Sequence, residues 1–155
     1  MRKLTFFSSP KHTAEHSVPP HKKSKCVRMF LMDKKTVLIV EDSPYLAESL
    51  ADMLNIRGHE SILAPNGREG VLLAQEHAPD LILLDIRLPD IDGYEVYKRI
   101  TESDWGRNAK IIVLTASESI ANIAKNINLP SDQILFKPDW SIPDLMKRID
   151  EVLDR

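Results

Sequence analysis

The stretch that decides the fold is LLDIRLPDIDG, Leu83–Gly93, in which an apolar run stops at a carboxylate and a turn follows. The run is typical of a buried strand, while Pro89 and Gly93 indicate a loop. Asp85 stands at the junction, where desolvating its charge is costly. Asp85 therefore either marks the end of the strand or lies at the mouth of a site that compensates its charge.

Working outward, five segments of the chain have the length and composition of strands. Three of them contain the continuously apolar runs VLIV, LILL and IIVL, which are typical of strands buried on both faces of a parallel sheet. The predicted strands are Thr36–Val40, Glu60–Ala64, Asp80–Leu84, Lys110–Leu114 and Gln133–Phe136.

Amphipathic segments of helix length follow each of these strands. Ser43 before Pro44 and Asn66 before the second segment are typical helix starts, and Pro79 is a stop signal. The predicted helices are Pro44 to Gly58, Asn66 to His77, Tyr94 to about Ser103, Ser117 to about Ile127, and Ile142 to Leu153. Five βα units in series predict an α/β, flavodoxin-like (βα)5 doubly wound fold. Its five-stranded parallel sheet has the order 2-1-3-4-5, with helices on both faces.

The charge of the 155-residue chain is unevenly distributed. Residues 1–32 hold seven of the 21 basic residues and one of the 23 acidic ones, which leaves 14 basic and 22 acidic residues in 33–155. Residues 1–33 also show no hydrophobic periodicity, and we expect a disordered basic tail; Met32 is an alternative natural start. A single domain is expected over 34–155. Its acidity argues against nucleic-acid binding, so no nucleic-acid partner is expected.

The remaining bulk features indicate a cytoplasmic protein. No apolar run approaches the roughly 20 residues of a membrane span, and no signal peptide pattern is present. Cys26 is the single cysteine, which excludes an internal disulfide and fits a reducing compartment.

Residues suited to chemistry follow four of the five predicted strands. In the order 2-1-3-4-5, the carboxyl ends of these strands share one edge of the sheet, where open α/β folds bind their ligands. Three carboxylates placed together repel one another unless a cation joins them, and Mg²⁺ (or Mn²⁺) prefers oxygen ligands of this kind. The converging residues are Glu41, Asp42, Asp85, Thr115 and Lys137.

A carboxylate, a divalent cation, a lysine and a hydroxyl together suit a phosphoryl group. The cations and the hydroxyl can neutralise its oxygens, and a carboxylate can act as the nucleophile. Asp85, on the central strand, is the expected acceptor. Asp90 and Asp92 are interpreted as turn and helix-cap residues rather than ligands, and His59 and His77 as solvated residues at helix ends.

From about Lys35 to Arg155, the chain resembles the receiver domain of two-component response regulators. The resemblance rests on the segments VLIVEDS, PDLILLDIRLPDIDGYE, IIVLTA and LFKP. It implies that Asp85 accepts a phosphoryl group from a histidine kinase or a histidine phosphotransfer protein. It also implies a Mg²⁺ site formed by Glu41, Asp42, Asp85 and the backbone carbonyl of Arg87.

Two further residues take roles from the resemblance. Thr115 would bond the phosphoryl oxygen and Lys137 would pair with it, and the Lys137–Pro138 bond is expected to be cis. The implied product is a phosphoprotein that switches a contact with a downstream protein or passes the group on in a phosphorelay. A monomer or a phosphorylation-dependent dimer is expected. The protein is expected to catalyse only its own phosphorylation and dephosphorylation and is therefore not an enzyme in the ordinary sense.

The sequence departs from the family pattern near the fifth strand. Ile134 stands where receivers usually carry an aromatic switch residue, Pro130–Ser131 replaces the usual Gly–Ala, and Asp139 and Trp140 follow Lys–Pro. These changes leave the phosphorylation chemistry in place. They affect the expected switch and partner face, which involves Thr115, Ile134 and Trp140; packing at the domain edge is the other interpretation of Trp140.

Two other functions fit part of the pattern. A degenerate receiver could act as an unphosphorylated protein-binding module, which the departure at Ile134 favours and the intact acidic site disfavours. An aspartyl-phosphate phosphatase or phosphotransferase usually has a second aspartate two residues after its nucleophile. Arg87 stands at that position, which argues against this enzyme.

Overall fold

One five-stranded parallel sheet organises the residues described by the structure, a computed structural model that describes 34–116, 123 and 129–154. Its strand order is β2-β1-β3-β4-β5, so the predicted topology is confirmed. The strands are β1 Thr36–Val40, β2 Glu60–Ala64, β3 Leu81–Asp85, β4 Ile111–Thr115 and β5 Ile134–Phe136. The basic tail, 1–33, and most of the helix predicted for 117–127 lie outside the described residues.

Four α-helices complete the part of the chain that the structure describes. They are α1 Pro44–Ile56, α2 Gly67–His77, α3 Gly93–Thr101 and α4 Ile142–Leu153. None of the described helices is both long enough and apolar enough to cross a membrane. Short 3-10 turns precede and follow β5, at Ser131–Gln133 and Lys137–Asp139.

Strands β1, β3 and β4 bury both of their faces, as their continuous apolar runs predict. Side chains alternate along each strand, so Val37 and Ile39 of β1 pack with α1 and α4, while Leu38 and Val40 pack with α2 and α3. The helices of each face contribute the other half of its core. Leu50, Leu54, Met146 and Ile149 do so on the first face, and Ala74, Val96 and Ile100 on the second.

Strands β3 and β4 extend one residue further than predicted. The Ile86 N–H donates to the Leu114 carbonyl at 3.2 Å, which continues the ladder past Asp85 and pairs it with Leu114. Asp85 and Thr115 are therefore the last residues of their strands rather than the first residues of loops. This rigid backbone holds two of the predicted site residues.

Each described helix begins with a polar side chain that accepts a hydrogen bond from a backbone N–H of its first turn. Such a bond satisfies one of the donors left free at a helix start and typically stabilises the protein by about 1 kcal/mol. The caps are Ser43 for α1, Asn66 for α2, Asp92 for α3 and Ser141 for α4.

The prediction of a solvated His59 is wrong, because this residue is only 7% exposed. The chain turns at Gly58, where φ is +87°, and the His59 N–H donates to the Leu54 carbonyl at 3.0 Å. The imidazole is thereby placed with its Nε2 4.0 Å from Asp150 Oδ1 of α4. His77, at the end of α2, is exposed as predicted.

Candidate functional site

The first two components of the site come from neighbouring strands. Val40 of β1 pairs with Leu84 of β3, so the next residues, Glu41 and Asp85, lie side by side at the carboxyl edge of the sheet. Both are buried, at 3% and 5% exposure. Asp42, which is exposed, completes a cluster in which one carboxylate oxygen from each residue lies within 4.8 Å of the others. The structure brings together the three acidic residues that the sequence predicts as metal ligands.

Lys137 bonds two of these carboxylates, those of Glu41 and Asp85, from a more distant strand of the sheet. It follows β5, two strands away from β3, and its Nζ donates to Glu41 Oε2 and to Asp85 Oδ2, each at 2.7 Å. Charge-assisted hydrogen bonds of this length are among the stronger polar contacts in proteins. Lys137 therefore neutralises part of the negative charge that the sheet edge gathers.

The pKa values of this cluster reflect burial and the lysine together. Burial raises the pKa of Glu41, and the opposing effect of Lys137 does not cancel that rise. Burial acts to lower the pKa of Lys137, but the bonds to Asp85 and Glu41 outweigh it and the pKa is raised. The lysine is therefore held in its charged form, whereas ionisation of Glu41 lowers the stability of the folded protein.

Replacing Glu41 by glutamine is expected to stabilise the metal-free protein increasingly as pH rises from 4 to 7. The pKa of Glu41 is raised in the folded state above its ordinary value of 4.5, so the folded protein holds this proton to higher pH than the unfolded chain. Stability from Glu41 is then present below the unfolded pKa and lost as pH rises through the folded pKa. Urea unfolding of both proteins across this range checks the trend. The exposed Glu48, replaced by glutamine, is the control, and a constant difference between Glu41→Gln and the unaltered protein would contradict the expectation.

The backbone after Asp85 turns tightly against its side chain. The Arg87 N–H donates to Asp85 Oδ1 at 3.1 Å, and the Gly93 N–H donates to the Ile86 carbonyl at 2.8 Å. Both carboxylate oxygens of Asp85 thus accept a hydrogen bond, one from this loop and one from Lys137. These contacts fix the direction in which Asp85 faces the edge of the sheet.

Gly93 is required by the close approach of the two ends of this loop. An added Cβ would lie well inside van der Waals contact of the Asp85 carbonyl oxygen and 2.7 Å from the Ile86 Cα. Because these are backbone atoms, Gly93→Ala is expected to lower the free energy of unfolding by about 1–3 kcal/mol, the usual cost of overpacking. Urea unfolding measures this loss.

Gly58→Ala provides the comparison for that variant. Its φ is +87° but an added Cβ there meets nothing within 4 Å, so only the backbone preference of about 1–2 kcal/mol is affected. We expect Gly93→Ala, unlike Gly58→Ala, also to weaken divalent-ion binding, because the clash falls on Asp85 itself. Unchanged ion binding in Gly93→Ala would contradict this account of the loop.

Thr115 ends β4 next to the strand of Asp85. Since Asp85 pairs with Leu114, Thr115 lies one position beyond it on the neighbouring strand, and it pairs with Phe136, the residue before Lys137. The hydroxyl-bearing residue is buried and shares the sheet edge with the other predicted components.

The donor set at this edge fits a hard divalent cation. All the contributing atoms of Glu41, Asp42 and Asp85 are carboxylate oxygens, the ligand type that Mg²⁺ and Mn²⁺ favour. Asp42 is open to solvent, so an ion held here could keep water ligands, as Mg²⁺ prefers.

Asp90 and Asp92 both act as helix caps, which confirms their interpretation from the sequence. Asp92 accepts from the Glu95 N–H of α3 at 2.9 Å. Asp90, by contrast, caps a helix far away in sequence: it accepts from the Gly67 and Arg68 N–H groups of α2 at 2.8 and 3.0 Å. Sequence reasoning missed this long-range contact, because no local spacing relates Asp90 to α2.

The predicted switch and partner residues occupy different environments. Ile134 is buried within the core that includes Val113 and Val96, whereas Trp140 is 38% exposed. The expectation of a cis bond before Pro138 is wrong, because no described peptide bond is cis. Lys137–Asp139 instead forms a 3-10 turn, closed by the Trp140 N–H donating to the Lys137 carbonyl at 3.4 Å, and this turn accommodates the proline in the trans form.

Comparison with known families identifies this arrangement. A model of the response regulator receiver domain matches residues 37–150. The chain belongs to the response regulator receiver domain family. It is thus the receiver domain of a response regulator, the signalling component of a two-component system, and proteins of this family act as signalling modules rather than as classical enzymes.

Individual relatives agree with this assignment. The polar-differentiation response regulator DivK of Brucella anthropi is 43% identical over 82 residues, which make up 53% of this chain and 67% of DivK. The probable transcriptional regulator ycf27 of Guillardia theta is 33% identical over 133 residues, or 86% of this chain and 51% of ycf27. The receiver chain thus spans about half the length of this second relative.

Solved receiver structures have the same fold. A CheY-like receiver domain protein from Methanospirillum hungatei JF-1 superimposes with a TM-score of 0.70 at 30% identity, covering 78% of this chain and 94% of that one. The chemotaxis response regulator CheY4 of Vibrio cholerae gives a TM-score of 0.70 at 26% identity, covering 77% and 98%.

Proposed function

We propose that this receiver domain accepts a phosphoryl group on Asp85 from a phosphohistidine of a histidine kinase or a histidine phosphotransfer protein. The observation that carries the proposal is the environment of Asp85. Its buried carboxylate bonds Lys137 at 2.7 Å and lies beside Glu41 and Asp42 at the open edge of the sheet. This environment supports the proposal because a carboxylate that can act as nucleophile lies beside a lysine cation and two further carboxylates.

The transfer step involves one bond formed and one broken. An Asp85 oxygen attacks phosphorus, the new P–O bond forms, and the P–N bond to the donor imidazole breaks with its electron pair passing to the ring nitrogen. Lys137 faces the acceptor oxygen and stabilises the negative charge of the phosphoryl group, while the Thr115 hydroxyl donates to a phosphoryl oxygen. Preorganised charges of this kind are the main contribution of a protein to phosphoryl transfer.

Mg²⁺ or Mn²⁺ would be held during this transfer by Glu41, Asp42, Asp85 and the backbone carbonyl of Arg87. Such an ion, when bound, supplies positive charge that neutralises the phosphoryl oxygens during transfer. The hydrogen bonds from Lys137 and from the Arg87 N–H keep the Asp85 carboxylate oriented before the donor arrives. The resulting acyl phosphate hydrolyses readily, so the modification is reversible.

The phosphorylated protein would alter a contact with a downstream protein or pass the group on in a phosphorelay, within the cytoplasm. Incubation with acetyl phosphate or phosphoramidate and Mg²⁺ tests the first step, with the intact mass as the measurement. A mass gain of one phosphoryl group that requires the divalent ion is expected. The absence of any gain would overturn the proposal and would favour a receiver that binds its partner unphosphorylated.

A further inference from the structure

The loop that follows the phosphoacceptor strand is bonded to a helix that lies elsewhere in the sequence. The Asp90 carboxylate accepts hydrogen bonds from the first two N–H groups of α2, those of Gly67 and Arg68, at 2.8 and 3.0 Å. The helix start carries partial positive charge and favours a carboxylate there. The contact joins residues 22 and 23 positions apart, so it is tertiary rather than local.

Asp90 shares the capping of α2 with a local residue. Asn66 Oδ1 accepts from the third N–H group, that of Glu69, at 2.9 Å, and regular helical bonding begins with the Gly70 N–H donating to the Asn66 carbonyl at 3.0 Å. The local cap thus satisfies one early donor of α2, and the loop satisfies the two before it. Asn66 and Asp90 thus both accept hydrogen bonds from the start of α2, but Asn66 directly precedes this helix whereas Asp90 belongs to the distant loop.

Packing around Gly67 shows that the loop is pressed against this helix. A Cβ added at Gly67 would lie 2.6 Å from Ile91 Cγ1 and 2.9 Å from the Ile91 carbonyl oxygen. Cβ atoms essentially never lie this close to another heavy atom, so a side chain at Gly67 would force the loop or the helix start to shift. The hydrogen bonds of Asp90 therefore belong to an extended contact.

The loop and the helix are each linked to the phosphorylation site, the loop directly and the helix through the strand on which it packs. The loop follows Asp85 directly and includes Arg87, whose N–H donates to Asp85 Oδ1. Helix α2 packs on the strand before Glu41, since a Cβ at Gly70 would lie 2.8 Å from Val40 Cγ1. Asp90 thus connects the segment that carries Arg87 to a helix seated against the strand that positions Glu41.

We propose that Asp90 is a positioning residue for the metal and phosphoryl site: by holding the Ile86–Asp92 loop to the start of α2, it fixes the Arg87 backbone relative to Asp85 and Glu41. Asp90 touches neither the ion nor the phosphoryl group. The expected effect of Asp90 on the phosphorylation rate rests on the proposed function, whereas the effect of Asp90 on ion affinity can be measured independently of it. Residues that orient metal ligands typically change affinity or activity by about 10–100-fold when removed.

Asn66→Ala is the matched control for Asp90→Ala, because each variant removes a cap from the same helix end. Mn²⁺ affinity, measured by the electron paramagnetic resonance of the free ion, is compared in the two full-length variants and the unaltered protein. Thermal unfolding by circular dichroism confirms that each is folded at the temperature used. We expect Asp90→Ala to lower Mn²⁺ affinity and the rate of phosphorylation by acetyl phosphate by about tenfold, and Asn66→Ala to leave both unchanged.

Asp90→Asn supplies a second, milder variant that keeps one acceptor oxygen for the α2 amides. Its Mn²⁺ affinity is expected to fall between those of Asp90→Ala and the unaltered protein. Equal effects of Asp90→Ala and Asn66→Ala, or unchanged Mn²⁺ affinity in Asp90→Ala, would overturn the proposal, as would undetectable Mn²⁺ binding by the unaltered protein. If the unaltered protein binds Mn²⁺ but takes no phosphoryl group, the proposed function fails while the affinity comparison still decides the role of Asp90.

Discussion

Replacement of Asp85 by asparagine is expected to reduce phosphoryl incorporation from acetyl phosphate to background. Asp85 is the last residue of β3, and its two carboxylate oxygens accept bonds from Lys137 and from the Arg87 N–H. Asparagine has nearly the same shape but offers a poor nucleophile and no negative charge. The loss should therefore concern chemistry rather than folding, and intact mass after incubation with Mg²⁺ measures it.

Asp92→Asn is the matched control for this prediction. It makes the same carboxylate-to-amide change in the loop that follows Asp85. Asparagine is as good a helix cap as aspartate, so the bond to the Glu95 N–H can be retained. We expect normal phosphoryl incorporation in Asp92→Asn. Equal incorporation by Asp85→Asn and the unaltered protein would exclude Asp85 as the acceptor.

Replacement of Lys137 by methionine is expected to lower the free energy of unfolding by about 3 kcal/mol at pH 7 in the absence of divalent ions. The change leaves Glu41 and Asp85 buried without the cation that bonds both. Breaking a buried ion pair costs about 3–5 kcal/mol, and the lower end applies because 21% of the lysine side chain is exposed. Urea unfolding with and without Mg²⁺ provides the measurement.

Mg²⁺ should stabilise Lys137→Met more than it stabilises the unaltered protein, because the ion would compensate carboxylates that have lost their lysine. Lys35→Met is the control: the Lys35 side chain is 33% exposed and lies 3.8 Å from Asp80, and a pair of this kind contributes only about 0–1 kcal/mol. Similar losses in the two lysine variants would contradict the role assigned to Lys137.

The architecture and the convergence of the site residues could be predicted because both follow from periodic features. Continuous apolar runs indicate strands buried on two faces, and the order 2-1-3-4-5 brings the ends of β1, β3, β4 and β5 to one edge. The prediction placed Asp85 and Thr115 just after their strands, whereas the structure includes both in the sheet. Strand ends depend on ladder hydrogen bonds, which composition does not reveal.

Contacts between distant segments could not be predicted in the same way. The bonds of Asp90 to α2 and the burial of His59 against α4 depend on how helices seat on the sheet, and no local spacing encodes them. The two hydrogen bonds that Lys137 donates to Glu41 and Asp85 depend on the side-chain conformation of a long, flexible residue. The trans bond before Pro138 depends on the turn that follows β5.

Chemical location of the phosphoryl group tests the central claim most directly. Borohydride reduces an aspartyl phosphate to homoserine, so the unaltered protein can be phosphorylated, reduced, digested and analysed by peptide mass spectrometry. We expect homoserine at position 85, within the peptide that carries LLDIRLPDIDG. Homoserine at position 42 instead, or a phosphoryl group that survives borohydride on another residue, would contradict the account.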